Sequence, residues 1–166
     1  MPALRSVDLQ HAAHTMLQHI NVPALETIVF RDVEYHNLTA SLLQVLSHSH
    51  PRVCSLSYIN VADHIAESCV QSLAQLEDLR QLCIEDTMGY WQFPTLLAAL
   101  TCADDQPPLA PELKDLSLLF GQHCWMRQNA DALNAMHQSR KEPRVCASRA
   151  VVALDRFHVD AKDKRT

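Results

Sequence analysis

The chain has 166 residues, of which 48% are hydrophobic and 20% charged, and its formal net charge is −5. These proportions are typical of a folded domain or a short repeat array, and they exclude a disordered chain. An acidic chain with 14 scattered Lys and Arg residues disfavours a nucleic-acid partner. With two glycines in all, the chain cannot form a G-x-G-x-x-G or Walker-type loop, which excludes nucleotide-binding enzymes of those classes.

Residues 1–22 are predicted to form one helix that partly caps the structure after it. Polar residues interrupt every apolar stretch of this segment, which argues against a signal peptide. No apolar run in the chain approaches the roughly 18–20 residues that a membrane-spanning helix needs. The six cysteines show no CxxC spacing, so we expect reduced, mostly buried thiols. We therefore expect no membrane partner and a cytoplasmic or nuclear location.

From residue 23 onward, a short strand pattern of the form apolar–x–x–apolar–x–apolar recurs. It occurs in "PALETIVF", "VCSLSYINV", "LRQLCIEDT", "PELKDLSLLF" and "LDRFHVDA". The first apolar residues of the five copies are Leu25, Val53, Leu79, Leu113 and Leu154, at steps of 28, 26, 34 and 41. A strand pattern that recurs at intervals of about 20–30 residues is typical of leucine-rich repeats.

The intervals between these strands carry helical patterns. Apolar residues recur at helical spacing in "HNLTASLLQVLSHSH", "ADHIAESCVQSLAQLED", "FPTLLAALTC" and "NADALNAMHQSR". The extra residues of the two longest steps fall in "TCADDQPPLAP", predicted to be an exposed loop, and around "RKEPRVCASR". The predicted fold is an α/β leucine-rich-repeat solenoid of about five strand–helix units over residues 23–160, with a polar tail at 161–166. A doubly wound α/β domain is the alternative, because strand–helix alternation also produces βαβ units.

The segments "VPALETIVF", "APELKDLSLLF" and "LLAALTCADDQPPLAPEL" resemble the repeats of fungal, basidiomycete-type F-box-associated leucine-rich-repeat proteins. In that family a phrase P-x-L-x-x-L-x-L follows an acidic, proline-rich loop, and the likeness covers residues 20–160. The resemblance implies substrate recognition for a ubiquitin ligase. The F-box itself has no recognisable counterpart in residues 1–22, so recruitment to a cullin-type ligase is not expected from this chain.

Residues that alternate with the apolar positions of each strand should point to the opposite face of the sheet. That face and its rim are predicted to bind a protein or peptide. The predicted binding residues are Arg31, Ile59, Gln81, Cys83, Glu85, Tyr90, Trp91 and Leu119. Tyr90 and Trp91 belong to the aromatic segment "MGYWQF", where a ring would either anchor a partner or fill the gap between strand and helix.

No catalytic residue, metal site or cofactor is predicted. His11, His14 and His19 are interpreted as solvent-facing helix residues. Cys83 is the best-placed candidate nucleophile, but no G-x-S-x-G elbow or neighbouring base accompanies it in the sequence. We therefore expect a non-enzymatic protein-interaction module without a small-molecule substrate. The alternatives are a cysteine- or histidine-dependent enzyme or redox protein, which one hyper-reactive thiol would indicate, and a repeat fragment without independent function.

Overall fold

The computed structural model describes residues 3–33, 38–62, 66–87, 93–121 and 123–161. Within these residues, strands and helices alternate along the chain up to residue 120. The strands are β1 (Ser6–Gln10), β2 (Thr27–Arg31), β3 (Ser55–Ile59), β4 (Gln81–Asp86), β5 (Asp115–Phe120), β6 (Arg144–Cys146), β7 (Arg149–Val151) and β8 (Arg156–Ala161). The α-helices are α1 (Leu38–Ser49), α2 (Ala66–Ala74), α3 (Phe93–Leu100), α4 (His123–Gln128) and α5 (Ala130–Ser139), and a 3-10 helix spans His11–His19.

Six strands form one parallel sheet in the order β1-β2-β3-β4-β5-β8. Each strand therefore lies beside the next sheet strand along the chain, and β6 and β7 form a separate antiparallel hairpin before β8. The recurring phrase is in register across the whole sheet. Its middle apolar positions pair in one row formed by Val7, Ile28, Leu56, Leu82, Leu116 and Phe157. The chain is thus a mixed α/β protein, and the common register of the predicted strands is confirmed.

Burial alternates along the inner strands because successive side chains of a strand point to opposite faces. In β2, β3 and β5 every second residue is buried, and the residues between them are half-buried. The buried strand residues share one core with the apolar faces of α1, α2, α3 and α5. Helices that follow one another also contact one another, α1 with α2 and α2 with α3. The helices therefore form one layer on one face of the sheet.

The N-terminal segment differs from its prediction. Residues 1–22 were expected to form a helix, but Ser6–Gln10 is the strand β1 and only His11–His19 is helical. The reason lies in the sequence itself, because Leu4, Val7 and Leu9 carry the recurring phrase a sixth time. Val7 and Leu9 pack against the core from the edge of the sheet, while the residues between them are exposed. The structure thus has six parallel strands instead of about five.

The turns that follow the strands contain residues with positive φ values and a close contact between two backbone segments. Asp32 and Asn60 follow β2 and β3 with positive φ values of 49° and 51°, which their short polar side chains tolerate. The Asn60 side chain joins neighbouring turns, because its Nδ2 donates to Asp32 Oδ1 and its Oδ1 accepts from the Thr87 hydroxyl at 2.6 Å. Gly121 follows β5 where a Cβ atom would lie 2.2 Å from the Thr87 carbonyl oxygen. Only glycine fits there without a shift of the backbone.

The two long interruptions of the repeat pack against each other. The interruption before β5 is exposed over residues 104–107, as predicted, but Leu109, Ala110 and Pro111 are buried. The interruption before β8 forms the β6–β7 hairpin. The backbone amide of Ala147 in this hairpin donates to the Asp104 carbonyl at 2.9 Å. These segments are therefore part of the folded structure.

Candidate binding face

The face of the sheet that carries no helices presents three straight columns of side chains, which we call the strand face. Parallel pairing places residues of the six strands side by side in each column. The first column is Ser6, Thr27, Ser55, Gln81, Asp115 and Arg156; the second is Asp8, Val29, Ser57, Cys83, Ser117 and His158; the third is Gln10, Arg31, Ile59, Glu85, Leu119 and Asp160. Over β2 to β8 these columns are the ones that the sequence pattern predicts.

A shallow groove of about 340 Å³ crosses the first two columns from β3 to β8, and we call it the strand-face groove. Its floor is low because Ser55, Ser57, Cys83 and Ser117 are small residues on three adjacent strands. Larger polar side chains border it toward β8, namely Gln81, Asp115, Arg156 and His158. The groove therefore offers hydroxyl, amide, carboxylate and imidazole groups around a floor of small residues.

Two arginine–carboxylate pairs fix side chains at opposite ends of the strand face. Arg31 Nε donates to both carboxylate oxygens of Asp8, at 3.0 and 2.9 Å. Arg156 donates to Asp115 through Nε at 2.7 Å and Nη2 at 3.0 Å, and this hydrogen bonding raises the pKa of Arg156. Exposed pairs of this kind stabilise a protein little, so their main effect is to orient the side chains.

The predicted binding residues divide into two groups. Arg31, Ile59, Gln81, Cys83, Glu85 and Leu119 all lie on the strand face, and each is half-buried or exposed. Tyr90 and Trp91 lie outside the described residues. The predicted set omitted the serines of the groove floor, and also Asp115, Arg156 and His158 at its border. Small residues carry no functional signal in a sequence, although the predicted columns already placed them on this face.

A larger cleft of about 970 Å³ lies between the C-terminal end of α1, the loop that follows it and the loop that follows α2. Two of its charged residues are paired with each other, since Arg52 donates to both carboxylate oxygens of Asp78 at 3.0 Å. The hydrogen bond from Arg52 lowers the pKa of Asp78. Helix ends and connecting loops line this cleft, whereas aligned strands build the strand face. We therefore take the strand face as the candidate site.

The three histidines of the 3-10 helix differ in their exposure. His11 and His19 are exposed as expected, but the prediction for His14 was wrong, because its ring is buried. His14 Nδ1 and the Ser41 hydroxyl are 3.1 Å apart, so the ring joins this helix to α1. Among the residues with described positions, no group of three or more His, Cys, Asp or Glu side chains could hold a metal ion.

Comparison of the chain with protein-family models, curated proteins and solved structures finds no match. The resemblance to F-box-associated repeat proteins therefore stays a prediction. Across the described ranges of the chain, no helix combines the length and apolar character that crossing a membrane requires.

Proposed function

We propose that this chain is a leucine-rich-repeat solenoid whose strand face binds an extended segment of another protein. The order of the strands supports the solenoid, because a doubly wound sheet reverses its strand order and carries helices on both faces. Here the sheet strands follow chain order and the helices form a single layer. In a solenoid each strand–helix unit buries its edges against its neighbours, and the single core shared by the strands and helices supports this arrangement.

The residue in the turn after each strand departs from the usual leucine-rich-repeat consensus. That consensus places Asn or Cys three residues after the last apolar strand position. In the four copies from β2 to β5, those positions hold Val33, Val61, Thr87 and Gly121. Asn60 stands one residue earlier, where its side chain hydrogen-bonds to the turns on both sides. The Asn60 side chain thus links the turns of neighbouring repeats by hydrogen bonds, from one residue before the consensus position.

The strand-face groove is the single observation that carries the proposed binding function. Its small floor residues leave room for a partner's side chains, and its polar border can hydrogen-bond to a partner's main chain. Four carboxylates on the strand face, Asp8, Glu85, Asp115 and Asp160, outnumber Arg31 and Arg156. This charge balance favours a protein or peptide over a polyanion such as a nucleic acid.

Filling the groove should weaken binding without unfolding the protein. We expect Ser117→Trp to reduce capture of specific partners by at least about tenfold, because the indole would occupy the groove. A tenfold loss of affinity corresponds to about 1.4 kcal/mol of binding free energy. The measurement is quantitative mass spectrometry of proteins that bind immobilised wild type and variant. Thermal unfolding of each variant verifies that it is folded.

The matched control is Asn134→Trp, which adds the same side chain at an exposed position of α5 in the helix layer. Proteins retained by wild type and Asn134→Trp but lost by Ser117→Trp would be partners of the strand face. An identical set of proteins on all three baits would contradict the proposal. Ubiquitin-ligase substrates or subunits within the groove-dependent set would support the role that the family resemblance implies.

A further inference from the structure

A second, smaller core lies where the two long interruptions of the repeat meet. It consists of Cys102 after α3, Cys146 in β6 and Val151 in β7. Neither cysteine is in a disulfide, and both are buried in this one cluster. Two thiols that are distant in the sequence are thus held in one small buried cluster.

The backbone on both sides of this thiol pair is anchored. The amide of Cys102 donates to Ser139 Oγ at 3.0 Å, and this hydroxyl donates to the Met136 carbonyl at 2.7 Å. On the other side, the amide of Ala147 donates to the Asp104 carbonyl at 2.9 Å. These hydrogen bonds keep the hairpin against the end of α5 and the segment after α3, so the thiols stay together without a covalent bond.

A buried positive charge lies next to the segment that carries Cys102. Arg140 is 0% exposed, and its guanidinium donates to the carbonyls of Leu100, Ala110 and Leu109. Burial raises the pKa of Cys102, while the charge of Arg140 opposes this rise. A thiol is oxidised through its thiolate, so the guanidinium favours the reactive form of a group that burial otherwise keeps protonated.

We propose that Cys102 and Cys146 are a reversible dithiol–disulfide pair that a hydroperoxide oxidises. Cys102 is 7% exposed and Cys146 0%, so the oxidant reaches Cys102 first. The Cys102 thiolate attacks one oxygen of hydrogen peroxide, and the O–O bond breaks. The product is a sulfenic acid, and the departing hydroxide takes up a proton and leaves as water. Cys146 sulfur then attacks the Cys102 sulfur, the S–O bond breaks, and a second water leaves. Two thiols and one peroxide thus give one disulfide and two waters.

The disulfide would tie the β6–β7 hairpin covalently to the segment that follows α3. A cross-link between positions far apart in the sequence restricts the unfolded chain and so raises the unfolding temperature. The pair would therefore act as a redox-dependent clamp at the β8 end of the sheet. This inference is independent of the function proposed for the strand face.

Peptide mapping of the whole chain after mild hydrogen peroxide treatment tests the proposal. No Lys or Arg separates Cys83 from Cys102, so a Cys83→Ser background is needed to assign the tryptic peptides without ambiguity. We expect a peptide that contains Cys102 linked to the peptide of residues 145–149, with a mass lower by two hydrogen atoms than the sum of the two. Dithiothreitol should release both peptides, and the oxidised protein should unfold several degrees higher than the reduced one.

Cys146→Ala is the variant that separates a pair from independent thiols. Without its partner, Cys102 should accumulate as sulfenic acid or its further oxidation products, and the rise in unfolding temperature should disappear. If Cys146→Ala does not fold, the linked peptide of the background protein still decides the question. Recovery of Cys102 and Cys146 only as separate peptides after oxidation would overturn the proposal, as would a cross-link that forms only in denaturant.

Discussion

Replacing Arg140 with methionine is expected to lower the free energy of unfolding by about 3–5 kcal/mol, because buried acceptors without a donor cost about 1–3 kcal/mol each. The Arg140 guanidinium donates to three backbone carbonyls, those of Leu100, Leu109 and Ala110. These carbonyls come from the end of α3 and from the segment that leads into β5. Methionine fills a similar volume but donates no hydrogen bond. Urea unfolding of the wild type and the variant measures the difference.

Arg127→Met is the matched control, because Arg127 is exposed on α4 and the same substitution there should change stability by less than about 0.5 kcal/mol. Arg140→Lys should recover only part of the loss, since one ammonium group cannot reach three carbonyls as a planar guanidinium does. Equal stability of Arg140→Met and Arg127→Met would show that the three hydrogen bonds do not hold the two segments together.

The second large effect concerns the two faces of the sheet. Leu116 and Leu119 lie three positions apart on β5, and the first is 1% exposed in the core while the second is half-buried on the strand face. Leu116→Ala should cost about 2–5 kcal/mol, because it leaves a cavity beneath the helix layer. Leu119→Ala should cost less than about 1 kcal/mol, because its side chain remains partly in water. Chemical denaturation of both variants gives the comparison.

The pair serves as its own control, because the same substitution is made twice on one strand. Leu119→Ala should also weaken binding of groove-dependent partners, whereas Leu116→Ala should act on stability alone. Similar losses of stability at both positions would mean that the strand face is covered in the folded protein. The strand face could not then be the binding surface.

The sequence predicted the strands well because their pattern is local and periodic. In four copies of the phrase, those that begin at Leu25, Val53, Leu79 and Leu113, all three apolar residues are buried. The last copy is half-buried, since β8 lies at the edge of the sheet. The first copy, at Leu4, was missed because histidines and alanines at helical spacing follow directly and suggest one helix.

Long-range packing was much harder to predict. The predicted helix "NADALNAMHQSR" ends at Arg140, and Arg140 does follow α5, but the burial of its side chain depends on carbonyls 30–40 positions earlier in the chain. Composition suggested an exposed loop before β5, yet the end of that segment is buried because the β6–β7 hairpin packs nearby. A local sequence pattern cannot predict a contact between two irregular segments that are far apart in the chain.

The candidate site was predictable in part for the same reason. Alternation along each strand correctly assigned the columns of the strand face, and parallel pairing then fixed which residues are neighbours. The groove depends on small residues coming together on adjacent strands, at Ser57, Cys83 and Ser117. Such a depression becomes visible only when the register of the strands is known.

Photo-crosslinking from two single positions tests the binding function most directly. A photoreactive amino acid is placed at Ser57, on the floor of the groove, or at Asn134, on the helix layer, and the protein is irradiated in the cells that produce it. We predict discrete adducts from position 57, containing the same proteins that Ser117→Trp fails to capture, and no such adducts from position 134. Adducts that form from position 134 and not from position 57 would contradict binding at the strand face.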